Sequence, residues 1–446
     1  MNDLIREERR IKGDGWVFRN INALREKPDI QSLHLGHNKI FDISVLAHLP
    51  RLQTLHLGCN TISDISVLAH LSCLQTLDLG WTIPDISVMK QLKNLQSLSF
   101  GGQEISDIDF LEKLPALQTL DLRSNDISDI SILRHLPNLH SLTLFSNRIS
   151  DISVLEHLPQ LRSLDLSVNE ITNIDSLRHL PGLQSLSLDA NSISEISVLE
   201  RLPNLQSLSL GSTKISDYSV LGKLSGIQSL YLRWNEISDI RFLEGLTDIK
   251  SLSLGNNDIS DISVLEHLPT LHDLGLGDNK ISDISALKNL RSLHSLGLEG
   301  NKISDISALK GLRSLHCLGL GGNKISDISI LAHLSELQSL YLWENEISDI
   351  KALAHLSQLQ SLELNCNKIS DISALEHLPQ LQRVYLHHNN LQEIPLFIFQ
   401  QKMRVKIGDE LYLDGFCVGG NPIISPPIEI IKRGRQAVFK WFERVK

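Results

Sequence analysis

Aromatic residues make up only 5% of this 446-residue chain, so any core it has must be aliphatic. The five cysteines (Cys59, Cys73, Cys317, Cys366, Cys417) are odd in number, scattered, and show no CxxC spacing. That argues against structural zinc and disulfide-clamped ends, and for a reducing cytoplasm. Nothing approaches the run of about 18 apolar residues that a membrane span needs. The start, Met1-Asn-Asp-Leu-Ile-Arg-Glu-Glu, is charged where a secretory signal is apolar. Positive charge is the scarcer sign, 42 Lys and Arg against 52 Asp and Glu for a net −10. A general nucleic-acid or anionic-membrane partner is therefore not expected. GxSxG, HExxH and the phosphate loop GxxxxGKS/T are all missing. The expectation is a non-enzyme with no catalytic residue, cofactor, metal or small-molecule substrate.

What the chain has is repetition. The unit LxSLxLxxNxISDISxLxxLPxL returns 17 times, with the second Leu of its LxL pair running from Leu35 to Leu386. Every step is 22 residues except one of 21, from Leu79 to Phe100. This period with LxxLxLxxNxI is the leucine-rich-repeat pattern. Length ceases to imply several domains, because each repeat contacts only its neighbours. The expected fold class is an α/β repeat: a leucine-rich-repeat solenoid, curved like a horseshoe. A parallel sheet lines its concave side and short helical or irregular segments its convex side. Alternation puts the LxL leucines inward and their neighbours outward. The corner residue is Asn in 14 of 17 units, with Thr82, Gln103 and Thr213 the exceptions. Its amide is expected to satisfy backbone groups of its own turn and of the next coil. Ser or Asp of SDIS should cap the outer turn. These recurrent polar residues are structural.

The expected organisation is an N-terminal cap at 1–29, repeats at 30–390, and a closing coil with a capping helix at 391–446. The cap should hold a short amphipathic helix with Leu4, Ile5 and Ile11, a half-coil at Asn20–Leu24, and Trp16 and Phe18 covering the end. At the other end Leu411–Leu413 reads as a closing strand. A helix with Ile428, Ile431, Val438, Trp441, Phe442 and Val445 on one face is expected to run through Gly434.

Recognition should sit on the concave strand positions. Most offer Ser or Gly, with a smooth run from Gly275 to Gly322 where added serines should matter little. Tyr231, Arg233, Trp234 and Glu236 interrupt it, as do Tyr341, Trp343 and Glu344. Asp121, Arg123, Phe145, Arg148, Asp165 and Asp189 form a third patch, and Tyr385, His387 and His388 a weaker fourth. Tyr, Trp and Arg dominate interface hot spots. Nine concave positions are acidic (Asp78, Asp121, Asp165, Asp189, Asp273, Asp278, Glu299, Glu344, Glu363) and three basic (Arg123, Arg233, Arg383). The expected partner is a protein with a basic face, and no nucleic acid. Nine histidines, from His48 to His377, share one repeat position and should form a stacked, neutral edge row.

The segment NPIISPPIEIIKRGRQAVFKWF resembles the NPLxSPPxEIxxxGxxAVxxYF stretch that closes the repeats of bacterial Roco proteins. The repeat body also resembles bacterial internalins. The Roco resemblance implies a cytoplasmic sensor array that regulates a Roc-COR GTPase, either following covalently or as a separate protein. The alternative is a stand-alone adaptor or effector with no GTPase link.

Overall fold

Alternation sets the strand of every coil. In Ser185–Ser187 the middle leucine is buried while the serines on either side are not, as a period of two requires. The computed structural model describes residues 10–11, 16–17, 21–80, 85–102, 104–401, 403–407 and 415–445. The chain forms two units, Met1–Gly226 and Ile227–Lys446. In the first, nine strands from Ser32–His34 to Ser207–Ser209 pair in parallel, each with the next. Leucines meet leucines in this register, Leu33 beside Leu55 and Leu186 beside Leu208. The 21-residue step shows as a register shift between Asp78 and Gly80. In the second unit, eight strands run from Ser229–Tyr231 to Arg383–Tyr385. Gly415–Cys417 then pairs with Arg383–Tyr385, and Val405–Lys406 with Gly415–Cys417.

Each coil from Leu35 to Leu364 returns through a five-residue 3-10 helix such as Ser285–Asn289. Leu287 N–H donates to Ile284 and Leu290 N–H to Leu287, both at 3.0 Å. A turn this short suits the i to i+3 pattern. Among the described residues, α-helix is confined to α1 (Leu396–Gln400), α2 (Ile428–Lys432) and α3 (Arg435–Val445).

The aspartate two residues before the turn caps it. Asp42 Oδ1 accepts from Ser44 N–H, and Asp283 Oδ1 from Ser285 N–H, at 2.8 Å each. The backbone donor, and then the serine hydroxyl, hold the carboxyls of Asp261, Asp283 and Asp327 below the usual aspartate value. A pKa lowered in the folded state adds stability above the unfolded value, near pH 4, that is lost as pH falls through the folded one. Melting temperature should therefore drop on acidification below about pH 4. Asn173 already caps Asp175 N–H at 2.8 Å, so an Asp261→Asn, Asp283→Asn, Asp327→Asn variant should fold with a shallower acid limb. An acid limb as steep as that of the parent would contradict the assignment.

The corner asparagines form a column. Asn301 Nδ2 donates to Leu298 O of its own coil at 3.1 Å and to Leu276 O at 2.9 Å, while its Oδ1 accepts from Ile281 N–H at 3.0 Å. The second coil reached is the preceding one, not the next as expected. Strand and turn leave the previous coil's Leu carbonyl and Ile N–H facing this corner, and the amide fills both. The residue before the Asn takes left-handed backbone in most coils, from His37 (φ 57°) to His388 (φ 54°).

Four end features differ from expectation. Arg10–Ile11 pairs antiparallel with Trp16–Val17, so Ile11 is in a strand, not a helix; Leu4, Ile5 and Phe18 lie outside the described residues. Leu411–Leu413 also lie outside them, and the closing strand is Gly415–Cys417. Phe416-Cys-Val418-Gly-Gly-Asn421 is an eighteenth coil: Asn421 Nδ2 donates to Leu386 O at 2.7 Å and Val418 O at 3.0 Å. Finally, Gly434 (φ 90°) separates α2 from α3. Ile431 and Val438 are buried, but Val445 is exposed. The half-coil is present as a 3-10 turn at Asn22–Glu26 with Leu24 buried.

Candidate protein-binding surface

The positions flanking the second Leu of LxL carry the surface, because they alternate with it toward solvent. In the second unit Tyr231 is 38% exposed and Trp234 64%. Trp234 occupies the left-handed corner (φ 59°) that glycine fills at Gly300 and Gly322, a conformation that costs a side-chain-bearing residue about 1–2 kcal/mol. Arg233 lies over Gly255 of the next coil: a Cβ there would sit 3.3 Å from its Nε. Glu236 is exposed. Five coils on, Tyr341 is half-buried and the Trp343 indole lies on Gly321 and Gly322, where a Cβ at Gly321 would collide with it. Glu344, at φ 50°, is exposed.

The glycine run is therefore not smooth. Glu299 folds its carboxylate over Gly277, Gly297 and Gly319, so a serine at Gly319 would strike it. Burial pushes the Glu299 carboxyl above the usual glutamate value, Asp278 adds to this, and Arg233 opposes it. Burial likewise raises Glu363, against the pull of Arg383. The sequence showed Glu299 as one acid among nine; glycines on its own coil and on both adjacent coils were the signal that it lies flat.

In the first unit the third patch is partly consumed by its own bonds. Arg123 Nε contacts both Asp121 oxygens, at 3.0 and 2.9 Å. Asp189 accepts from Ser209 Oγ at 2.6 and 2.7 Å and from Gly211 N–H at 2.5 Å. Asp165 accepts from Ser167 N–H at 3.0 Å, and Arg148 pairs with Asp126 at 2.9 Å. Phe145 remains exposed. Two of the three residues of the fourth patch are covered: Tyr385 and His387 are 8% and 2% exposed, because the closing strand lies beside Tyr385, while His388, next to Gly420, stays exposed.

The nine repeat-position histidines end the 3-10 turns and point into solvent. No ring stack joins them among the described residues, which corrects the expected row. None of the five cysteines is in a disulfide, and burial raises the Cys317 and Cys366 thiols. Among the described residues no helix is long and apolar enough to cross a membrane.

Comparison with known proteins places this geometry. A model for Leucine Rich repeats (2 copies) matches at 28–70, in overlapping segments from 93 to 223, at 225–267 and from 269 to 355. A second model, Leucine rich repeat, matches 335–391. Among curated proteins none matches. The internalin inlF of Listeria monocytogenes is 35% identical over 67% of this chain and 89% of its own, with a TM-score of 0.61. A leucine-rich-repeat protein of Leptospira interrogans is 25% identical over 95% of this chain and 98% of its own, with a TM-score of 0.53. The ectodomain of the Arabidopsis thaliana receptor kinase GASSHO1/SCHENGEN3, in complex with Casparian strip integrity factor 2, shares the fold at 21% identity and a TM-score of 0.63. That match covers 90% of this chain and 54% of the receptor chain. The chain belongs to the leucine-rich-repeat family, with internalin-like bacterial neighbours.

Proposed function

We propose that the chain is a non-enzymatic protein-interaction array, and that Tyr231, Arg233, Trp234, Tyr341 and Trp343 hold its partner. One observation carries this reading: Trp234 stands 64% exposed in a left-handed corner where glycine would be cheaper. Five coils separate the two clusters, about 24 Å along the sheet. That span fits a folded domain or a long helix and exceeds a small metabolite. The free acids around them favour a basic partner face. The closing segment's likeness to bacterial Roco proteins extends the reading to cytoplasmic regulation of a Roc-COR GTPase, covalently attached or separate. A stand-alone adaptor or effector is the alternative.

The test is capture of a purified Roc-COR protein, with variants scored for binding and melting temperature. Trp234→Gly and Trp343→Ala should each weaken binding by about 2–4 kcal/mol. Trp234→Gly should also hold or raise the melting temperature, since it relieves the left-handed backbone. Capture that survives both substitutions would sink the aromatic site. Failure to capture Roc-COR at all, with another protein retained in a Trp234-dependent way, would favour the adaptor.

A further inference from the structure

The residue that leads each strand, four before the second Leu of LxL, is Gln in 11 of the 17 repeats. Three successive coils of the second unit carry His272, His294 and His316 there instead. Their backbones are laddered: His294 N–H donates to His272 O and His316 N–H to His294 O, at 2.8 Å. Their rings stack at 5.4 Å between centroids, tilted by 8° and 13°. Each Nδ1 lies 2.7 Å from a backbone carbonyl two residues earlier, Thr270, Ser292 or Ser314. A carbonyl only accepts, so Nδ1 carries the hydrogen and the neutral ring keeps its lone pair on Nε2. A further proton can therefore enter only at Nε2. It would turn three acceptors into three N–H donors with like charges about 5 Å apart, which favours an anion bound alongside.

The charges around the ladder are mixed, three cations and three acids by position. Arg291 and Arg313, three residues before His294 and His316, are exposed and form no ion pair with any described residue. Lys250 leads the preceding strand, its Nζ 3.1 Å from Gln228 Oε1. The nearby acids by position are Asp248 on the coil before, Asp273 beside His272, and Glu336 on the coil after. No described carboxylate is within ion-pair distance of the three imidazoles.

We propose that the His272–His294–His316 ladder is a pH-gated docking strip for an acidic helix of a protein partner. Carboxylates at i, i+3 or i+4 on one helix face recur about 5–6 Å apart, in step with the 5.4 Å ladder. Same-face residues of an extended strand recur about 6.6–6.8 Å apart and fall out of register by the third coil. A proton added at each Nε2 supplies the positive charge that an acidic helix pairs with, so docking strengthens as pH falls. This strip is separate from the aromatic surface and does not depend on it.

The test uses the full chain and two labelled alanine-rich helical peptides of equal composition. One carries Glu at i, i+4 and i+8; the other spreads the same three Glu around the helix. The one-face peptide should bind about tenfold tighter at pH 5.5 than at pH 7.5. The variant His272→Gln, His294→Gln, His316→Gln should lose that gain. It should fold, because neighbouring coils already carry Gln at this position. The same change at His140, whose Nδ1 sits 2.6 Å from Asn138 O on a coil without stacked neighbours, should keep it. Equal binding of both peptides, no binding at pH 5.5, or a pH gain that survives the triple substitution would each overturn the proposal.

Discussion

Alanine at both Asn301 and Asn323 should destabilise the second unit by more than the two single changes add up to. Each single loss should cost about 3 kcal/mol, because one buried N–H is orphaned and two carbonyl bonds go. The coupling comes from one shared atom. Leu298 O accepts from Asn301 Nδ2 at 3.1 Å and from Asn323 Nδ2 at 2.9 Å. Either single variant leaves that carbonyl one donor; the double variant removes both. The extra loss should be about 1–2 kcal/mol. Asn257 provides the control, since its donors go to Leu232 O and Leu254 O and share nothing with Asn323. A double-mutant cycle in urea should show coupling for Asn301 with Asn323 and additivity for Asn257 with Asn323. Additivity in both pairs would mean that the asparagines act one coil at a time.

That shared carbonyl also marks where sequence reading stopped. The coils, their strands and their buried leucines were legible, because each follows from alternation within one repeat. The corner Asn was legible as a backbone satisfier, yet its direction was not, since that depends on which groups the preceding coil leaves open. The same limit explains the histidines. Position within a repeat picked out His48 to His377, but stacking depends on where the ring lands relative to the next coil. His272, His294 and His316 stack because a backbone carbonyl fixes each Nδ1. The run from Gly275 to Gly322 looked bare because glycine has no side chain of its own. Its surface is supplied from adjacent coils by Glu299 and Trp343. The coil at Phe416–Asn421 was hidden by spacing, since Val418 follows Leu386 by 32 residues rather than 22.

The short step from Leu79 to Phe100 reads from sequence as the weakest stretch of the array, with Thr82, Pro84 and Gln103 replacing the usual residues. Those three lie outside the described residues, but their neighbours show how the core is filled. Phe100 stands where other repeats have Leu, and Phe110 where they mostly have Val, Ala or Ile. Both are buried, with ring centroids 6.1 Å apart. Met89, fully buried, replaces a Leu one coil earlier. A coil with one residue fewer supplies less volume, and two large rings with an adaptable thioether take it up. Phe100→Ala should therefore cost about 3–5 kcal/mol, including the aromatic pair, worth about 0.5–1.5 kcal/mol beyond its area. The damage should stay local, because a repeat transmits stability only to its neighbours. Amide exchange should accelerate across residues 85–122 and hold steady across 254–325. The Leu that other repeats carry is the informative comparison. If Phe100→Leu is as stable as the parent, ring volume is not what compensates the missing residue, and the bulge between Asp78 and Gly80 absorbs it in the backbone instead.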